Sequence, residues 1–367
     1  MRVATRGLAL AIAGLAMLAL AYAGYWIVLA GALERGTRAW IEDRQRQGDD
    51  ITHGAPVWRG FPGRVEVVLP GPALTVPAAA PVIALAGARA VVSVHPFAPL
   101  EPTVSLEGEQ TLALEGLTRP VRYTGSAERC ELQVRLRPGL DDGPGSMLPA
   151  LATLTVRALA MIDAETSDRI AVATLDATAS PLPEGAPGRR YTLALDDATL
   201  PASLNLPFAG VLRRAAADVD VSGSLPAVPA GDDLLAWRDA GGVIEVRRLE
   251  LASGPVRLEG DGTLALDGNG QPIGAMTLEI SGYQAALDAL IVRGILGVPT
   301  SVKLKRIFAV LAGGSVTPNK PVRIPLTLQE RILSAGPIPL MKLPLIDWPA
   351  RSRGTSQAVP GRIPSTS

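Results

Sequence analysis

Two patterns of apolar residues divide the chain. No charged residue interrupts the segment from Leu8 to Leu33. At about 1.5 Å per residue, a helix of this length exceeds the ~30 Å hydrocarbon core of a bilayer. From residue 64 onward, apolar and polar residues mostly alternate, which is typical of β-strands with one apolar face. The chain therefore predicts an N-terminal membrane helix followed by a β-rich domain.

A cleavable signal peptide is the alternative for the first segment, because Ala21-Tyr22-Ala23 has the small-x-small form of a cleavage site. The apolar run continues well beyond that site, whereas a signal peptide usually has an apolar region of about 7–15 residues. This favours an uncleaved, single-pass anchor. Arg2 and Arg6 precede the run and favour a cytoplasmic N-terminus, so we expect the residues after 34 to lie outside the cytoplasm.

The alternating runs predict a mainly β (α+β) fold built from antiparallel, curved sheets with one solvated face. Turn residues such as Gly, Pro, Asn and Asp separate most of these runs. The predicted strands cover residues 64–69, 103–115, 121–137, 151–160, 170–179, 190–195, 217–224, 243–251, 256–266 and 275–280, with closing strands at 322–328, 331–334 and 336–340.

Residues 104–116 and 256–268 are similar to each other, with nine identical positions in thirteen. Each copy predicts a strand, a turn and a second strand. A duplication would give two similar β halves, and convergence of hairpin sequences is the alternative. The predicted organisation is a tail and transmembrane anchor (1–34), a juxtamembrane helix and linker (35–56), a first β half (57–185), a second β half (186–349) and a disordered tail (350–367).

One helical segment is predicted inside the second half, over residues 283–312. Gly294, Gly297 and Pro299 divide it into two helices. Basic residues beside the apolar stripe of the second helix leave two interpretations open, a membrane-surface helix and a core helix with a solvated face. The candidates for an apolar groove beside this segment are Leu287, Leu290, Ile291, Ile307 and Phe308.

The amino-acid composition limits the kinds of functional site that the chain is expected to carry. Thirty-five basic and 35 acidic residues give no net charge, so no basic field favours nucleic acid. The single cysteine, Cys130, is predicted to be a buried apolar residue, and His53 and His95 are predicted in loops or at strand ends. Four Asp-Asp pairs, at 49–50, 141–142, 196–197 and 232–233, are interpreted as turn caps. We therefore expect no catalytic site, metal or cofactor.

Three segments resemble the family catalogued as domain of unknown function 2125, found in Gram-negative bacteria. They are the anchor with Gly24-Tyr25-Trp26, the segment containing Gly60-Phe61-Pro62 and Arg64, and the closing residues 324–340. The Gly-Phe-Pro segment is interpreted as a tight turn that starts the first strand, with Phe61 plugging the core. The resemblance also predicts Asp-Gly after the first closing strand, where this chain has Glu330-Arg331.

The family resemblance, and a more distant similarity to AsmA-like envelope proteins, imply a protein of the inner (cytoplasmic) membrane with its main domain in the periplasm. Two functions follow as expectations. The first is binding of a lipid or another hydrophobic ligand in an apolar groove of the sheet. The second is a non-enzymatic scaffold that binds partner proteins of the envelope. In both cases the lipid bilayer is a partner and nucleic acid is not.

Overall fold

The chain folds as one long helix followed by a continuous antiparallel sheet. The computed structural model describes residues 2–77, 81–116, 119–138, 147–183, 186–201, 210–225, 231–292, 294, 297, 302, 305, 306, 321–346 and 348. Helix α1 spans Arg2–Arg46 without interruption, across the predicted junction at residue 34. It stops at Gly48, whose φ of 101° is a left-handed conformation that glycine adopts readily. The N-terminal helix and the mainly β fold class are confirmed.

Burial alternates clearly along β3, β14 and β16, where one face is apolar. In chain order they are β1 (Asp50–Thr52), β2 (Val57–Arg59), β3 (Val65–Pro70), β4 (Ala73–Val76), β5 (Val82–His95), β6 (Ala98–Glu115), β7 (Val121–Ser126), β8 (Arg129–Pro138), β9 (Met147–Asp163), β10 (Arg169–Pro181), β11 (Gly188–Thr199), β12 (Val211–Ser222), β13 (Ile244–Ser253), β14 (Val256–Leu266), β15 (Pro272–Ser281), β16 (Val322–Gln329), β17 (Ile332–Ala335) and β18 (Ile338–Lys342).

Almost every strand pairs with the next one along the chain, so the sheet is a meander. The exceptions are β1, which pairs with β4, and two strands broken into collinear pieces: β3 and β4 lie along one edge of β5, and β7 and β8 lie along β6. The pairing continues from β9 through β10 to β11, across the predicted boundary between the two β halves. The division into two similar halves remains a prediction.

The turns predicted inside the two similar segments are wrong. Residues 104–115 lie in the single strand β6, and residues 256–266 form the single strand β14. Gly108, with a φ of 82°, lies where the β5–β6 register shifts, so this glycine makes a bulge. A Cβ on Gly260 would lie 2.6 Å from the Thr277 carbonyl oxygen, so this glycine permits close approach of β15.

Two further helices complete the described fold. Helix α2 (Gly231–Asp239) was not predicted; Asp232 and Asp233, interpreted as turn caps, lie in its first turn, where the helix dipole favours acidic residues. The turn interpretation also fails at Asp196 and Asp197, which lie in β11. Helix α3 (Tyr283–Val292) confirms the first predicted helix of the 283–312 segment. Most of the second helix, and the predicted tail 350–367, lie outside the described residues.

Candidate functional site

A continuous row of apolar residues crosses the sheet from β3 to β16. The register of each strand pair places one member directly beside the next, on the same face of the sheet. In order, the row consists of Val67, Val92, Val104, Leu132, Leu154, Ala177, Leu193, Ala217, Leu249, Gly260, Leu278 and Ile324.

The two ends of this row are covered by helices. At the β3 end, Val67, Val92 and Val104 lie in a core cluster that also includes Leu33 of α1. At the β16 end, Ile324 packs with Tyr283 and Leu287 of α3. Each helix therefore shields one end of the apolar row from solvent.

The middle of the row is open. We define the central apolar face as its β8–β13 members, Leu132, Leu154, Ala177, Leu193, Ala217 and Leu249. Leu132 is 37% exposed and Leu193 is 40% exposed, while the other four are half-buried. Tyr191, two residues from Leu193 on the same side of β11, is 44% exposed. Leu154 and Ala177 lie between the two exposed leucines in the row, so the exposed and half-buried apolar side chains form one candidate surface.

The opposite face of the same strands is polar and ion-paired. Thr178 and Thr192 share a hydrogen bond of 2.6 Å. Arg190 donates two hydrogen bonds to Asp220, of 2.6 and 2.7 Å, and this guanidinium lowers the pKa of the Asp220 carboxyl. The two faces of these strands therefore differ in chemistry, one apolar and one polar.

A small cavity of about 130 Å³ lies beside the central apolar face. Its lining includes Arg189, Tyr191, Val221 and Leu225. The Arg189 guanidinium donates a hydrogen bond of 3.0 Å to the Pro149 carbonyl oxygen. This corner therefore places a cation beside the apolar side chains of Val221 and Leu225.

The predicted groove residues of the helical segment are only partly placed. Leu287 is 6% exposed and belongs to the core cluster at the β16 end, so it supports the fold instead of lining an open groove. Ile291 is half-buried. The side chain of Leu290, together with Ile307 and Phe308, lies outside the described residues. Sequence reasoning predicted an apolar groove on the sheet but named none of the residues of the central apolar face, although the alternating Leu and Ala of β9–β13 are visible in the sequence.

The C-terminal half of α1 packs on the start of the sheet. Trp26 and Ala30 are 8% and 0% exposed and form a cluster with Val65 and Val94. The Trp26 indole donates a hydrogen bond of 3.2 Å to the Gly63 carbonyl oxygen, and the Tyr25 hydroxyl donates one of 2.6 Å to that of Pro96. This half of the helix is therefore part of the folded domain.

The Gly-Phe-Pro segment forms the predicted tight turn against this helix. Gly60 has a φ of 106°, and a Cβ there would lie 1.9 Å from the Arg64 carbonyl oxygen, so no other residue fits without rearrangement. Phe61 as a core plug is wrong: it is 58% exposed and meets Trp26 edge to face at 5.6 Å between ring centroids. Arg64 is also exposed.

The candidate reactive groups are dispersed. Cys130 lies half-buried in β8, and burial raises the pKa of its thiol. His95 ends β5, and His53 is exposed between β1 and β2, as predicted. Within the described ranges, no three His, Cys, Asp or Glu side chains are grouped so that they could hold a metal ion.

Comparison with known protein families shows which family this chain belongs to. The model of the family described as "Uncharacterized protein conserved in bacteria (DUF2125)" matches residues 26–344, which is most of the chain. The chain belongs to the DUF2125 family. No curated protein and no solved structure matches it. The DUF2125 match begins at Trp26, the residue at which α1 becomes buried against the sheet.

The DUF2125 chain carries one helix, among the residues described, that is long and apolar enough to cross a membrane. This property is shared by membrane anchors and by signal sequences. The length and composition of the helix allow either role. Cleavage after Ala23 would remove Tyr22 but leave Tyr25, Trp26 and Ala30 in the mature chain.

Proposed function

We propose that this DUF2125 protein is anchored in the inner membrane by α1 and carries a hydrophobic ligand, such as a lipid, on the central apolar face of its periplasmic sheet. The single observation that carries the proposal is the open stretch of apolar residues from β8 to β13, placed between two helix-covered ends. We also propose that the protein is not an enzyme.

Retention of α1 is supported by its packing. Cleavage after Ala23 would leave a new charged terminus at Gly24, one residue from Tyr25 and two from Trp26, which is buried. Cleavage there would also remove Tyr22, whose hydroxyl donates a hydrogen bond of 2.5 Å to the Pro62 carbonyl oxygen. This contact of the segment before the cleavage site supports a permanent anchor.

The size of the central apolar face suits an acyl chain. Neighbouring strands lie about 4.8 Å apart, so six strands span roughly 24 Å. That is longer than the ~15 Å occupied by the acyl chains of one leaflet, half of a ~30 Å hydrocarbon core. Each methylene removed from water contributes about 0.8 kcal/mol, so a chain lying along this row would bind without a deep pocket.

The proposal is tested by mass spectrometry of lipids that co-purify with the full-length protein from a mild detergent. The test variant is Leu132→Gln with Leu193→Gln, which makes the two exposed leucines polar at similar size. The matched control is Thr153→Gln with Thr192→Gln, on the neighbouring positions that face the opposite side of the sheet. We expect bound lipid in the wild type and the control, and at least about a tenfold loss in the test variant.

Absence of co-purifying lipid from the wild type would contradict ligand binding. Equal lipid content in the test and control variants would place binding away from the central apolar face. A wild type without lipid that retains a stoichiometric envelope protein, released by neither double variant, would favour the scaffold function instead.

A further inference from the structure

The apolar part of α1 that is free of the domain is too short to span a bilayer. Among the side chains that the structure describes, domain contacts begin at Tyr22, whose hydroxyl donates a hydrogen bond of 2.5 Å to the Pro62 carbonyl oxygen. The preceding apolar residues, Leu8 to Ala21, extend only about 21 Å along a helix axis. A hydrocarbon core of ~30 Å requires roughly six more residues, which reach Ile27.

The side of α1 that faces away from the sheet is apolar at this level. Ile27 and Val28 are each 66% exposed, although Trp26 beside them is 8% exposed. Exposed aliphatic side chains on one side of a helix, with domain contacts on the other, are expected if lipid covers the exposed side. The first strands of the domain therefore lie at the depth of the bilayer surface.

Two turns of the sheet lie at the same level of α1. The β2–β3 turn contains Phe61, and its Pro62 carbonyl accepts from Tyr22. The β5–β6 turn contains Phe97, and its Pro96 carbonyl accepts from Tyr25. Phe61 is 58% exposed and Phe97 is 82% exposed. An aromatic ring left this open is costly in water and common at a membrane interface.

We infer that Phe61 and Phe97 insert into the outer interface of the membrane that α1 spans, as a second point of attachment for the domain. The inference rests on the anchoring role of α1 proposed above. Exposed Arg64, next to the β2–β3 turn, would then lie within reach of lipid phosphates. Two contacts in addition to the helix would fix the tilt of the sheet relative to the membrane, which a single helix leaves free.

Depth-dependent fluorescence quenching tests this inference in the full-length protein. Cys130→Ala supplies a background without cysteine, since the chain has one. Three variants with one cysteine each are then made on this background: Leu18→Cys in α1, Phe97→Cys in the β5–β6 turn and Phe61→Cys in the β2–β3 turn. The matched control is Glu165, 79% exposed in the turn between β9 and β10, at the opposite end of the strands.

Each cysteine carries a small environment-sensitive fluorophore, and the protein is reconstituted in vesicles of phosphatidylcholine and phosphatidylglycerol. Some of the lipid carries a nitroxide, near the glycerol backbone in one set of vesicles and deep in the acyl chain in a second set. Compared with Glu165, we expect several-fold stronger quenching at Leu18 by the deep nitroxide and at Phe61 and Phe97 by the shallow one. Quenching at Leu18 alone, with both phenylalanine positions equal to Glu165, would overturn the inference and leave the anchor intact. No quenching at Leu18 would overturn the anchor and the inference together.

Discussion

Replacement of Trp26 by alanine measures how strongly α1 is fixed to the sheet. Trp26 is 8% exposed, and an aromatic side chain buries about 150–250 Å². At about 25 cal/mol per Å², this burial corresponds to about 4–6 kcal/mol, an upper bound to which the hydrogen bond to Gly63 adds about 1 kcal/mol. Since surrounding groups relax partly into the cavity, we expect Trp26→Ala to lower the free energy of unfolding by about 3–5 kcal/mol.

The assay is urea unfolding of the full-length protein in mild detergent, followed by the circular dichroism of the sheet. Trp40→Ala is the matched control, because Trp40 lies on the same helix but is 56% exposed. Its effect should stay within about 1 kcal/mol. Equal effects of the two substitutions, or a loss of less than about 1 kcal/mol for Trp26→Ala, would refute the packing of α1 on the domain.

The remaining predictions concern the sheet. Glu330 and Arg331 have φ of 52° and 65°, so E330N with R331G should stabilise the β16–β17 hairpin by about 1–2 kcal/mol in the same assay. Gly242→Ala should cost about 1–3 kcal/mol, since its Cβ would lie 2.1 Å from a buried tryptophan ring. Asp220, its pKa lowered by Arg190, stabilises the fold above about pH 4. Asp220→Asn should therefore abolish the part of the stability that the wild type loses when the pH falls below about 4. An acid transition unchanged by Asp220→Asn would contradict the stabilising contact with Arg190. An unchanged stability in E330N with R331G, or in Gly242→Ala, would contradict the strain expected at those positions.

Residue periodicity was sufficient to predict the class of the fold. Alternation over two residues is a local property, so β10, predicted at 170–179, was found at Arg169–Pro181. Glycine misled the interpretation, because Gly260 leaves room for β15 instead of turning the chain. Helix α2 was missed because its apolar positions are few, and its burial depends on Trp237, which is 4% exposed under contacts distant in sequence.

The candidate site was less predictable, because the exposure of an apolar residue depends on which distant elements pack over it. Leu193 and Leu287 have the same chemistry, yet Leu193 is 40% exposed and Leu287 is 6% exposed. The difference arises because α3 covers the β16 end of the row, while Leu193 lies between the two covered ends. Phe61 is a second example. It was predicted to contact the core, but its surroundings leave most of the ring exposed.

The most direct test of lipid binding places a photoreactive amino acid at single positions of the full-length protein in living cells. Incorporation at Leu193 should, on illumination, attach lipid to the protein, detected as a mass increase. Incorporation at Thr192, on the opposite face of the same strand, should not. Attachment at neither position, or at both equally, would contradict the account of the central apolar face as a lipid-carrying surface.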